Sequence, residues 1–184
     1  LMARGLKNSK TQTVGIIIPS IDNYFYLDVL KHLELNLHKF SYRLLVNFIQ
    51  HNGYNEADAL CAMEDSQTDA LIFSPRNTQN SEIVNRLKNK TNLLQLFTAP
   101  YKDISSVVTN DVYGVKKATE YLISNGYSRI LYVGGDERVK GYFNALSNAG
   151  IIADNDLVLL NWENSPEIIK EKIISKKADA VIGI

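Results

Sequence analysis

The stretch TVGIIIPSIDNYFYLDVLKHLE, residues 13–34, decides the fold. Val14 to Ile18 is apolar throughout, with no polar alternation. A strand buried on both faces reads this way, and such strands sit inside parallel sheets covered by helices. The run breaks at Pro19 into a short polar loop and then enters a helix. In open α/β sheets, ligands bind beyond the carboxyl ends of the strands, which is where the loop Ser20–Tyr26 lies. That loop carries Asn23, Tyr24, Phe25 and Tyr26. A polar hydrogen-bonder beside aromatic rings is the equipment of a sugar or nucleobase pocket. Packing of Phe25 and Tyr26 on the first helical turn is the alternative, and this segment alone does not separate the two.

Outward from that stretch the punctuation is regular. Apolar strands at about 13–18, 44–48, 69–73, 93–97, 129–133, 156–160 and 178–184 alternate with amphipathic stretches at about 25–39, 55–67, 79–89, 113–125, 138–149 and 165–176. This βαβα alternation predicts parallel, doubly wound sheets with helices on both faces. In KKATEYLISNGY the helix is expected to stop at Gly126, and Ser165-Pro166-Glu167 places a cap and then proline at the first helical position. Two places break the rhythm: the longer connection 98–111, with the short apolar piece Val107-Val108, and the turn at Gly126 before the strand ILYVGG. A change of lobe near either point accounts for them. The closing ADAVIGI is a buried strand with nothing after it to cover it, so the fold is expected to continue beyond Ile184.

Composition narrows the function classes. The 184 residues are 45% hydrophobic, enough for a real core. Lys plus Arg and Asp plus Glu number 20 each, which argues against a chain whose main surface binds nucleic acid or anionic membrane. The single cysteine, Cys61, has no internal partner for a disulfide. Neither a signal sequence nor a run of transmembrane length is present, so a soluble cytoplasmic protein is expected.

The chemistry of catalysis is missing. His32, His38 and His51 have no carboxylate or cysteine at a ligand-forming interval, so no metal is expected. Gly134-Gly135 follows a strand as a phosphate cradle does, but Asp136-Glu137 comes next and repels anions. No P-loop, Gly-x-Gly-x-x-Gly fingerprint or nucleophile elbow is completed, and neither a cofactor nor an enzymatic reaction is expected. Three features remain on the carboxyl side of strands. Arg138 starts a helix and has the fork to clamp a carboxylate, phosphate or vicinal hydroxyls, or else pairs locally with Asp136 and Glu137 at the surface. Trp162, the one tryptophan, offers a face for stacking on a sugar or simply packs. Asn110 and Asp111 either accept hydroxyl protons or cap the helix that follows.

Taken in order, these residues resemble the effector-binding region of the LacI family of bacterial transcription regulators, which is related to periplasmic sugar-binding proteins. GIIIPSIDNYFY is similar to the family's strand–Pro–x–x–x–Asn–Pro–Phe–Phe loop, with Asn23 at the asparagine, Phe25 and Tyr26 at the aromatic pair, and Tyr24 in place of proline. DALIFSPRN resembles the third strand and its loop. NDVYGVKKATEYLISNGYSRILYVGG resembles the Asp–x–x–x–Gly…Ala–x–x–Leu…Gly–His–x–x–Ile run, with Tyr127 at the histidine; Asn110 or, with a shift of one, Asp111 takes the acidic position. Arg138-Val139-Lys140-Gly141-Tyr142 matches Arg–x–x–Gly–aromatic, whose arginine contacts the effector, and Trp162 falls where family members place a stacking aromatic. The Asp–Arg pair of some sugar binders is replaced by Leu96-Phe97-Thr98. At the amino end Ala3-Arg4-Gly5-Leu6-Lys7 is similar to the family's hinge helix, which lies in the DNA minor groove with its leucine wedged between base pairs.

The resemblance implies a two-lobed, periplasmic binding protein-like α/β fold. Residues 1–11 would be a remnant of the hinge, with Arg4 and Leu6 meeting DNA. Residues 12–125 would form the N-terminal lobe and 126–184 the first part of an incomplete C-terminal lobe. The expected ligand residues are Asn23, Phe25, Tyr26, Asn110, Asp111, Arg138 and Trp162. The implied effector is a sugar or sugar phosphate in the interlobe cleft. The implied partners are operator DNA, reached through a helix-turn-helix domain absent from this chain, and a second copy in a homodimer. No membrane partner is expected. The alternative is a solute (sugar) receptor feeding a transporter, which shares the fold and would need an export signal.

Overall fold

The fold is seen in a computed structural model that describes residues 10–49, 55–135, 137–160 and 166–183. Arg4, Leu6, His51, Asp136 and Trp162 lie outside the described residues. The chain divides into two units, Leu1–Thr109 and Asn110–Ile184. In the first, β1 (Thr13–Ile18), β2 (Arg43–Phe48), β3 (Ala70–Phe73), β4 (Asn92–Leu96) and β5 (Ser105–Val107) form a sheet in the order β2-β1-β3-β4-β5. Every pairing in it is parallel. Helices α1 (Tyr24–Lys39), α2 (Glu56–Asp65) and α3 (Ser81–Lys88) connect the first four strands.

β1 is buried on both faces, as its unbroken apolar run requires. Ile17 joins a core with Leu60 and Met63 of α2 and Val84 and Leu87 of α3. Val14, Ile16 and Ile18 face the opposite way, toward Tyr26, Leu30, Leu33 and Leu37 of α1. Helices therefore cover both sides of the sheet. The register sets Ile17 beside Phe73 and Phe73 beside Gln95, so the loops after β1, β3 and β4 leave from one edge. Short polar side chains start the helices. Asn23 Oδ1 accepts from Phe25 N–H at 2.9 Å, and Asn55 and Asp58 form a reciprocal capping box at the start of α2.

In the second unit β6 (Ile130–Gly134), β7 (Val158–Leu160) and β8 (Ala180–Gly183) form a parallel sheet in the order β7-β6-β8. Helix α4 (Asp111–Ser124) precedes it, and α5 (Val139–Asn148) and α6 (Pro166–Lys176) connect its strands. The expected parallel α/β architecture is what forms, with the second sheet opening at Ile130. Two expectations change. The chain divides at Thr109, the first of the two breaks in its rhythm, so the helix placed above with residues 12–125 belongs to the second unit. The reason is packing: Val115 of α4 lies in one core with Ile130, Tyr132, Val139, Tyr142 and Leu146. The connection 98–111 also contains a strand, β5, which pairs with β4 yet is exposed along its length and so lacks the apolar signature of the others.

The two units share a device. Asp69, just before β3, accepts from the N–H groups of Thr11 and Gln12 at 2.8 and 3.0 Å. Asp179, just before β8, accepts from the N–H groups of Ser128 and Arg129 at 2.9 and 3.0 Å. In each unit one aspartate ties the start of the third strand to the entry of the central one. The similar segments TDALIF and ADAVIG carry it.

Across α2 and α3, Glu64 accepts from Arg86 Nη2 at 2.7 Å and from Lys90 Nζ at 2.6 Å. Hydrogen bonds from Arg86 first, then Lys90, hold its carboxyl down at about 2, against 4.5 ordinarily. A depressed folded pKa contributes stability above the unfolded value and loses it as pH falls toward the folded one. Glu64→Gln is therefore expected to be less stable than the parent at pH 7. The difference should shrink as pH is lowered from 4.5 toward 2, in paired urea titrations. A difference independent of pH would contradict this account.

Candidate functional site

In the first unit the candidate residues gather at the carboxyl ends of β1 and β4. Ser20 Oγ donates to Asp22 Oδ2 at 2.9 Å and accepts from Asp22 N–H at 3.0 Å, which shapes the loop. Asn23 caps α1 with its Oδ1. Tyr24, at the position where proline was expected by resemblance, is 80% exposed. Phe25 and Tyr26 do more than pack the first helical turn. With Phe97, the residue just after β4, they form a ring cluster with centroids 5.1 Å (Phe25–Phe97), 5.5 Å (Tyr26–Phe97) and 5.7 Å (Phe25–Tyr26) apart. Tyr26 leans on the core beneath α1, while Phe25 is 50% exposed. Phe97 was not among the expected site residues. The signal that marks it is an aromatic closing a buried strand on the edge where loops gather.

In the second unit Asn110 and Asp111 take different parts. Asn110 Oδ1 accepts from Tyr113 N–H at 3.1 Å, so this side chain caps α4. Asp111 Oδ2 accepts from Arg138 Nε at 2.8 Å, which joins the first residue of α4 to the residue that begins α5. Glu137 pairs with Lys140 at 2.6 Å instead of with Arg138. A guanidinium held through Nε keeps its fork in a fixed orientation, which is what bidentate recognition of a phosphate or of vicinal hydroxyls needs. The crossing of α4 and α5 is close at Gly141, where a Cβ would stand 2.2 Å from the Val112 carbonyl oxygen. The Arg–x–x–Gly spacing thus places the arginine beside Asp111 and the glycine where the helices touch.

Buried hydroxyls support this unit from below. Tyr142 Oη donates to the Ile130 carbonyl at 2.8 Å, and burial pushes its phenol up to about 12. Tyr132 Oη donates to the Gly135 carbonyl at 2.9 Å and steadies the loop that leads to Arg138. Among the described residues no cluster of three or more His, Cys, Asp or Glu side chains forms a metal site, and no helix is long and apolar enough to cross a membrane.

The parallel α/β units are of the periplasmic binding protein type. The family of periplasmic binding proteins and sugar binding domain of the LacI family matches residues 11–171, and the chain belongs to it. It is similar to catabolite control protein A of Priestia megaterium, 29% identical over 159 residues that span 82% of this chain and 48% of that protein. It is also similar to the HTH-type transcriptional regulator RegA of Clostridium saccharobutylicum, 28% identical over 174 residues, 88% of this chain and 51% of the relative. The chain thus spans about half the length of these relatives. The crystal structure of the transcription regulator CcpA of Lactococcus lactis superposes with a TM-score of 0.77 at 23% identity, covering 94% of this chain and 67% of that one, a likeness of fold.

Proposed function

We propose that the chain is the effector-sensing region of a LacI-type bacterial transcription regulator. It binds a sugar or sugar derivative, sugar phosphates included, and catalyses no reaction. The family match over residues 11–171 carries this reading, and the similarity to regulators of the same class supports it. In it, Asn23, Phe25 and Tyr26 of the first unit and Asp111, Arg138 and Trp162 of the second contact the effector, with Asn110 placing the start of α4. The regulator works in the cytoplasm as a homodimer. It meets operator DNA through a helix-turn-helix domain and a hinge that includes Arg4 and Leu6. An effector changes DNA affinity only through different affinity for the two forms of the protein. A tenfold change corresponds to about 1.4 kcal/mol of coupling.

The test uses the full-length gene product. Its affinity for DNA upstream of its own gene is measured by fluorescence anisotropy, with and without a panel of sugars and sugar phosphates. At least one compound is expected to change the affinity tenfold or more. No change with any compound would overturn the reading.

Arg138→Lys refines it. Lysine keeps the charge but loses both the Nε bond to Asp111 and the planar fork. The variant is expected to retain DNA affinity without effector and to lose at least 90% of the effector-induced change, roughly the tenfold factor that one charge-assisted hydrogen bond contributes. An effector response equal to the parent's would return Arg138 to a purely structural ion pair.

A further inference from the structure

We infer that Phe97 sets the ligand class of the first unit: its aromatic wall takes an apolar or aromatic face of the effector, so sugars bearing an aryl substituent bind better than the same sugars without one. This deepens the effector-binding reading and rests on it. Two independent observations carry it.

The first is backbone conformation. Phe97 has φ 69°, in the left-handed region that favours glycine. Among the described residues four other non-glycine residues share such a φ, and all are polar: Gln12, Ser41, Gln67 and Lys177. A bulky ring stays there only where its surroundings fix it, and such residues gather at binding sites. The fixing groups are on both sides. Phe97 N–H donates to the Val107 carbonyl at 2.9 Å, and Thr98 Oγ donates to the Pro75 carbonyl. Glycine would adopt this backbone freely. What the position retains against that conformational preference is the ring.

The second is the state of the neighbouring polar groups. Ser20 Oγ is engaged with Asp22, Asn23 Oδ1 with the N–H of Phe25, and Thr98 Oγ with Pro75. These three oxygens serve the chain itself. The three rings lie within 5.1–5.7 Å of one another, and Phe25 is half exposed. Beside these engaged oxygens the three rings offer π-faces and ring edges, suited to a ligand's apolar side.

The test is a titration of the full-length gene product, followed by saturation-transfer-difference NMR. The probes are common hexoses, each supplied as the methyl and the phenyl glycoside. For a hexose that binds, the phenyl glycoside is expected to bind about five- to tenfold more tightly than the methyl one, the scale of one aromatic contact. Phe97→Gly should bring that ratio below twofold without lowering the melting temperature. Phe97→Leu, which keeps an apolar side chain, should give an intermediate ratio. Equal binding of both glycosides by the parent, or a ratio that survives Phe97→Gly, overturns the role of Phe97. So does a ratio lost only in variants that melt below the parent, since the ring is then structural. Failure of every glycoside to bind overturns the sugar-binding reading itself, and this inference with it.

Discussion

Gln95→Leu is expected to bring the first unit close to unfolding. Gln95 is fully buried in β4 and spends its whole amide on the backbone of the β4–β5 connection. Its Nε2 donates to the carbonyls of Tyr101 and Ile104 at 2.7 and 3.0 Å, and its Oε1 accepts from Tyr101 N–H at 2.9 Å. Tyr101 and Ile104 belong to the core beneath α2 and α3, so the connection cannot swing out to find water without opening that core. Leucine fills a similar volume but strips the Tyr101 N–H and the Ile104 carbonyl of these bonds and leaves the Tyr101 carbonyl only the long 3.4 Å bond from Ile104 N–H. At roughly 1–3 kcal/mol for each of the two stripped groups, with some relief by local movement, the loss comes to about 2–5 kcal/mol. That is a large part of the 5–15 kcal/mol typical of a domain. Urea titration by circular dichroism checks the size. Amide hydrogen exchange checks the place, since protection should fall in β4 and β5 before it falls in β6.

Gln95→Glu separates hydrogen bonding from shape. A carboxylate there would point an acceptor at two carbonyls, while the protonated acid can still donate to one. Burial beside carbonyls raises the folded pKa of the introduced group, so the charged form is the disfavoured one. The penalty relative to the parent should therefore grow as pH rises through about 4.3, the ordinary glutamate value, and be smallest below it. A penalty that does not change between pH 4 and pH 7 would contradict this account.

Gln95 also shows what the chain's pattern hides. In LLQL, residues 93–96, it reads as one polar residue in an apolar run, and nothing in its neighbours says that its partners lie six and nine residues on. The elements that were legible bury a continuous face. Val14–Ile18 announced a central strand, and Ile130–Gly134 did the same for the second sheet. β5 was not legible, because an edge strand of three exposed residues buries too little to leave a mark. The division at Thr109 was readable only as one of two breaks, since α4 is amphipathic whichever sheet it serves. The candidate site residues divide in the same way. Asn23, Phe25, Tyr26 and Arg138 were visible because loops after strand ends are the places to look. Phe97 was hidden because it closes a strand as an apolar residue does. Its partnership with Phe25 and Tyr26 is a contact between segments about seventy residues apart, which only the fold creates.

Glycine-to-alanine substitutions in α4 and α5 are expected to have opposite signs. At Gly141 an added methyl would stand 2.2 Å from the Val112 carbonyl oxygen and 2.8 Å from the Lys116 nitrogen. Both are backbone atoms of a helix and cannot turn aside as a side-chain end can. The helices must separate, loosening the core of Val115, Tyr142 and Leu146, at a cost of about 2–4 kcal/mol. At Gly114 on α4 the same methyl meets nothing within 4 Å. There the change removes the backbone freedom of a mid-helix glycine and is expected to stabilise by about 0.5–1 kcal/mol. The pair makes a controlled comparison: one methyl, two neighbouring helices, and only the crossing distance different. Separation at Gly141 also pulls apart the starts of α4 and α5, where Arg138 Nε meets Asp111 Oδ2. In the full-length protein Gly141→Ala should therefore weaken the effector response along with stability, whereas Gly114→Ala should leave the response unchanged. Thermal melts and effector titrations of the two variants decide it. A Gly141→Ala protein as stable as the parent would mean that α4 and α5 do not cross at that glycine, and the placement of Arg138 beside Asp111 would fall with it.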